Sequence, residues 1–330
     1  MSSIAHETVE ALRAELEPLE WPERFERIAQ AHKAAPLETR EPIVALRTEL
    51  AGRALLELAP RWGSVPFKDA ILKLPKRMRG PLSRAAKDLR DRRIAEVMAR
   101  GGLPLDGHGE TGRFAAGLDE RAVEMPLALA AAALDQPGEV LDAGSALNLP
   151  LVRAITGRPC ARLTHFTLPG SNEPVLAGDE DRFAYSFGDL RAMPFRDGAF
   201  SRVVCVSTLE HVAMDTTRFG APVRDGDDAA AAVAELLRVL VPGGTLLATV
   251  PYGRAADHGW FRVLDRVELR RLLEPAGRYD VSLRFFYYDQ GWGEGGEAPP
   301  PVVLDSPFES DVITGVAIAR VIKTAQGAAF

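Results

Sequence analysis

The feature that most constrains the fold is the stretch Gly138 to Ser145, GEVLDAGS. A short apolar strand ends in an acid and passes at once into a tight glycine turn. Such a turn suits an open α/β sheet, where ligands bind beyond the carboxyl ends of the strands. Three downstream segments keep the same rhythm: FGDLRAMPF at 187–195, DGAFSRVVCVSTLEH at 197–211 and LRVLVPGGTLL at 237–247. Ser201 to Val206 is near-continuously apolar, as expected of a central parallel strand buried on both faces.

The pattern predicts a helix at about 118–134 and strands at 139–143, 161–168, 182–186 and 201–206. Val233, Leu236, Leu237, Leu240 and Val241 stand at helical spacing and predict a helix at about 227–241. Pro242-Gly243-Gly244 stops it, and a strand follows at 245–250. A helix at 265–274 leads to two long strands, 279–288 and 311–322, with no helical pattern between them, so they read as an antiparallel pair. Alternating strands and helices predict a parallel sheet with right-handed crossovers. Residues 289–301 are too rich in glycine and proline for regular structure, and read as a lid anchored by Trp292 or a flexible connection.

Residues 1–115 read as helical throughout. Pro22, Pro36, Pro42, Pro60, Pro66, Pro75 and Pro81 punctuate them and predict several short helices, with a longer one at 82–100. The loop 101–109 is the best boundary. It divides the chain into a helical unit, 1–115, and an α/β unit, 116–330.

Taken in order and spacing, these segments resemble the class I S-adenosylmethionine-dependent methyltransferases, type 11-like, over roughly residues 118–330. The resemblance implies a Rossmann-like, doubly wound, mostly parallel seven-stranded sheet with an antiparallel last strand. It implies S-adenosyl-L-methionine as cofactor, and places the helical unit as a cap on the substrate side. Asp142, Gly144, Ser145, Ala146 and Asn148 are the candidate cofactor residues of the first turn, with Asn148 as a cap for the next helix. A dinucleotide site would need G-x-G-x-x-G to seat a pyrophosphate, and GSALNL at 144–149 lacks the second and third glycines. A methyl donor without phosphate has less need of that cradle. Asp189 matches the acid that commonly meets the adenine amino group, and Leu190, Ser207 and Glu210 complete the candidate set. The acid expected to grip the ribose has no clear counterpart; Thr164, His165, Thr167 and Glu173 are what the second strand and its sequel offer.

Methyl transfer needs donor and acceptor held in line, and a hydroxyl acceptor gains from a base. His211 follows the central strand and can titrate near neutral pH, so it is the leading base candidate. Glu210 fits a loop-orienting or cofactor-contacting role. The loop PYGRAADHGWF at 251–261 offers Tyr252 and His258 as acceptor contacts.

Composition excludes several classes. The formal charge of -6 gives no general drive toward nucleic acid or anionic membrane. The two cysteines, Cys160 and Cys205, sit in apolar surroundings and read as buried thiols, and zinc-type spacing is absent. The N-terminal residues lack the basic and apolar regions of a signal peptide, and no apolar run approaches a membrane span, so the expectation is a cytoplasmic protein. One local exception is 66–100, where eleven basic residues face four acidic ones. Three functions stay open. The first is O-methylation of a small molecule, a sugar or glycan precursor or a secondary metabolite. The second is methylation of RNA or a nucleotide through that basic segment, which is disfavoured because Phe67 is its single aromatic. The third is a non-catalytic methyltransferase-like binding module.

Overall fold

The computed structural model describes residues 3–59, 66–105, 112–170, 181–217, 229–304 and 313–324. Helices α1 (Ser3–Leu16), α2 (Trp21–Ala34), α3 (Leu37–Leu58), α4 (Phe67–Leu72) and α5 (Lys76–Ala99) come first. Then follow α6 (Arg121–Ala132), β1 (Glu139–Ala143), α7 (Pro150–Thr156), β2 (Arg162–Thr167), β3 (Phe183–Phe187) and β4 (Phe200–Val206). A 3-10 turn at Leu209–His211 precedes α8 (Ala229–Val239), β5 (Leu240–Pro251), β6 (Ala256–Asp257), β7 (Arg262–Val263) and α9 (Arg266–Leu272). The chain closes with β8 (Asp280–Tyr288), β9 (Trp292–Gly295), α10 (Pro301–Leu304) and β10 (Gly315–Ile322).

Eight strands form one sheet in the order β3-β2-β1-β4-β5-β10-β8-β9. β3, β2, β1, β4 and β5 are parallel, and β10 runs antiparallel between β5 and β8. The strand order reverses at β1 and β4, which puts the switch point, and hence the ligand crevice, beyond their carboxyl ends. One face of the sheet packs against α8 and α9, through residues such as Val233, Leu236, Leu237 and Leu269. The other packs against α6 and α7, through Val123, Met125, Leu127 and Val152.

The eighth strand corrects the reading of 289–301. Trp292 has no exposed surface, its Nε1 donates to the Leu118 carbonyl at 2.9 Å, and its backbone exchanges hydrogen bonds with Phe114. Burying one large aromatic overrides the weak strand propensity of the glycines around it. The helical unit also departs from expectation. α3 and α5 continue through Pro42 and Pro81, although an internal proline costs about 3 kcal/mol. The buried stripes Ile43, Leu46, Leu50 and Ala54 on α3, and Met78, Leu82 and Ala85 on α5, outweigh that penalty. Cys160 is exposed, not buried, because it sits in the loop before β2; Cys205 is buried in β4 and its thiol is pushed up by that burial. Asn148 does not cap α7: Leu149 holds the cap position, and Asn148 instead accepts from the Tyr185 hydroxyl at 3.1 Å.

α5 belongs to two cores at once. Met78, Leu82 and Ala85 pack with the preceding helices, while Ile94 and Val97 join the core under α6 and the sheet. Residues 106–109 of the boundary loop, Pro60, Glu173, and the outer ends of the predicted 227–241 helix and 311–322 strand lie outside the described residues.

Candidate active site

A cavity of about 470 Å³ lies beyond the carboxyl ends of the parallel strands. Its walls come from the turn after β1 (Gly144, Ser145, Ala146), from β2 and its end (Phe166, Thr167, Leu168), and from the turn after β3 (Gly188 to Arg191). The segment after β4 (Ser207, Thr208, His211 to Met214) faces them, and Arg121 and Met125 of α6 with Arg90, Asp91 and Ile94 of α5 complete the enclosure. Of the residues singled out from sequence, Gly144, Ser145, Ala146, Asp189, Leu190, Ser207 and His211 therefore meet around one space.

Asp142 supports this space from beneath. It is fully buried; its Oδ2 accepts from the Leu147 amide at 2.9 Å and from His165 Nδ1 at 2.7 Å. The His165 ring, almost parallel to Phe183, is thereby committed to the scaffold. Gly144 turns with φ of +100°, and its amide donates to the Phe166 carbonyl at 2.7 Å. Asp189 Oδ1 accepts from the Arg191 amide at 2.9 Å, and the Arg191 guanidinium lies against the same carboxylate at 2.9 Å.

His211 has a defined orientation. Its Nδ1 lies 2.7 Å from the Trp260 carbonyl and its ring stacks on the Trp260 indole, 5.2 Å between centroids. A carbonyl can only accept, so Nδ1 carries the proton and, in the neutral ring, Nε2 holds the lone pair. That is the tautomer a base needs. Glu210 is buried beside the ring, with Oε1 3.9 Å from His211 Nε2, and it also lines a separate cavity of about 160 Å³ with Arg262 and Arg271. Burial, reinforced by Glu124, pushes its carboxyl well above the usual range.

Tyr252 and His258 do not reach the main cavity. Tyr252 is buried beside Phe285 and donates to the Glu297 carbonyl at 2.8 Å, while His258 stacks on Phe261 at 4.4 Å. Their loop contributes through its main chain at Trp260 instead.

Sequence reasoning missed α6. Glu124 has no exposed surface, and its Oε1 accepts from Ser207 Oγ and Thr249 Oγ1, both at 2.6 Å. Arg121 stands one turn earlier, with Nη1 at 3.3 Å from Glu124 Oε2. Burial opposes the Arg121 charge, yet Glu124, Glu120, Glu210 and Asp119 together hold its pKa above the ordinary range. The signal was a charged pair inside RAVEMPLALAAA, an otherwise apolar helix.

The same acid-rich corner gives a pH prediction. Burial, then the Asp119 and Glu124 carboxylates, push Glu120 up to about 7. The folded protein then binds more protons than the unfolded chain between about pH 4.5 and 7, so Glu120's contribution to stability is lost as pH rises through that window. Glu120→Gln cannot ionise. Thermal melts at a series of pH values should show a flatter decline for this variant; an unchanged profile would remove Glu120 as its source.

Residues 170–248, from just after β2 into β5, match the family model of a methyltransferase domain. Over that segment the chain is similar to methyltransferase domains. Solved structures resemble the chain at low identity. The [4+2]-cyclase SpnF is 19% identical, with 72% of this chain and 94% of that one covered and a TM-score of 0.45. The 1,6-didemethyltoxoflavin-N1-methyltransferase of Burkholderia thailandensis, solved with 1,6-didemethyltoxoflavin and S-adenosylhomocysteine, is 16% identical over 62% and 80%, at a TM-score of 0.39. The YcgJ protein of Bacillus subtilis is 14% identical over 61% and 98%, at a TM-score of 0.40. Among the described residues, no helix is long and apolar enough to cross a membrane, and no group of three or more His, Cys, Asp or Glu is placed to hold a metal.

Proposed function

We propose that this methyltransferase transfers a methyl group from S-adenosylmethionine to an oxygen of a small molecule, a sugar or glycan precursor or a secondary metabolite, with His211 as the base. The observation that carries this reading is the proton position on His211, which leaves Nε2 able to take a proton on a side chain lining the cavity. The residues present also fit the donor. Arg121 Nη1 and Ser145 Oγ are buried without a hydrogen-bond partner, and both residues line the cavity. Orphaned buried donors of this kind call for a ligand. Arg121 would hold the donor's carboxylate, Ser145 and the Gly144 turn its amino-acid arm, and Asp189 the adenine amine, with Leu190 against the base. When bound, S-adenosylmethionine supplies an electrophilic methyl group. His211 Nε2 takes the hydroxyl proton as the acceptor oxygen attacks.

The basic segment supports a small acceptor over RNA. Many of its charges are already paired within the protein: Lys73 with Asp69, Lys87 with Asp91, Arg90 with Asp119, Arg93 with Glu96 and Arg77 with Glu26. The test is calorimetry with S-adenosylmethionine, followed by a screen of hydroxylated small molecules for methyl gain by mass spectrometry. Tight donor binding with methylation only of RNA would favour the nucleic-acid reading, and donor binding with no turnover on either would favour a binding module.

Asp189→Ala should weaken S-adenosylhomocysteine by about 1.5–3 kcal/mol, roughly 10- to 150-fold in dissociation constant, by removing a charged acceptor for the adenine amine. Wild-type affinity in a variant that melts normally would dismiss the assignment.

A further inference from the structure

Among the described residues, six non-glycine residues have left-handed backbone, and three of them line this cavity: Ser145 (φ 58°), Ser207 (φ 41°) and Ala213 (φ 65°). Such conformations are strained and persist only where the surroundings enforce them. For Ser207 the enforcement is visible. Its amide donates to Thr249 Oγ1 at 3.0 Å, its hydroxyl donates to Glu124 Oε1 at 2.6 Å, and Thr249 Oγ1 donates to the same Glu124 oxygen. One buried carboxylate oxygen thus pins the ends of β4 and β5 to α6.

The other oxygen of Glu124 is placed differently. Oε2 makes no hydrogen bond, yet lies 3.3 Å from Arg121 Nη1, which also makes none. The two attract by charge without closing a directional bond. Arg121 is therefore held against α6 while a donor N–H is left unsatisfied beside the cavity.

We infer that Glu124 is a positioning residue for the donor's amino-acid arm: through Oε2 it aims the Arg121 guanidinium at the carboxylate, and through Oε1 it sets Ser207 on the facing wall. This rests on the reading of the cavity as the donor site. It implies a selective effect. The carboxylate end of the ligand should feel Glu124, and the adenosyl end should not, because Asp189 and Leu190 lie on a different wall, the turn after β3.

Two ligands separate these ends. S-adenosylhomocysteine carries the carboxylate, and 5′-methylthioadenosine shares the adenosyl thioether without it. Wild-type protein should bind the first more tightly by calorimetry. Glu124→Gln keeps an amide oxygen for both hydroxyls and removes the charge. It should weaken S-adenosylhomocysteine by about tenfold or more while leaving methylthioadenosine within about twofold. Arg121→Ala should give the same one-sided loss. Should Glu124→Gln fail to fold, Thr249→Val removes one hydroxyl from Glu124 outside the cavity wall, and the same selectivity is expected at smaller size. Equal weakening of both ligands would make Glu124 merely structural, and no weakening of either would leave it without a role; each overturns the inference with the donor site intact. Wild-type protein that binds neither ligand would bring down the donor-site reading, and this inference with it.

Discussion

Replacing His211 by alanine is expected to lower kcat by about 10²-fold or more, the loss typical of a missing general base. The dissociation constant for S-adenosylhomocysteine should stay close to the wild-type value. The ring is fixed by the Trp260 carbonyl and indole with the proton on Nδ1, and the proposed role of its Nε2 lies with the acceptor's proton. Loss of kcat without loss of ground-state binding is the pattern of an interaction made in the transition state. Stopped assays with an acceptor found by the screen, together with calorimetry, would measure both quantities. Wild-type turnover would reduce His211 to scaffold, and a parallel loss of donor affinity would make it a cofactor contact.

Gly144→Val should have an equally large effect, for a reason that geometry adds to the sequence argument. A Cβ built at Gly144 would fall 2.0 Å from Thr208 Oγ1 and 2.6 Å from Thr208 Cγ2. The φ of +100° is also one that a branched L residue avoids. The first casualty is therefore the contact between the β1 turn and the segment after β4, before any ligand arrives. We expect loss of donor binding together with a lower melting temperature. Gly144→Ala with Thr208→Ala relieves much of the overlap and should recover part of the stability. A valine variant with wild-type melting and wild-type affinity would contradict the placement of this turn.

The parallel sheet was legible because its strands carry unbroken apolar runs and its turns carry glycine, signals that are local in the chain. GEVLDAGS and the residues after Val206 located the cavity for the same reason. What escaped were features settled by distant contacts. Trp292 made a strand of a glycine-rich stretch through its bond to Leu118. Pro42 and Pro81 stayed inside helices because buried stripes along the same helices outweighed them. Tyr252 and His258 looked suited to a site by residue type, yet the fold turns one into the core and stacks the other on Phe261. Arg121, Glu124 and Arg90 went unseen as site residues because helical periodicity alone gives no sign of which charge will face a cavity.

The Trp260 carbonyl that orients His211 has one more implication. Every amino acid has a main-chain oxygen, so the instruction that fixes the His211 tautomer is written in the path of the 251–261 loop and not in any side chain there. Drift at position 260 would cost the indole stack but keep the proton on Nδ1, whereas a one-residue insertion or deletion would misplace the oxygen with every side chain near His211 still present. Related chains could therefore differ in catalytic competence through loop length alone, a difference invisible to any comparison that only aligns functional side chains.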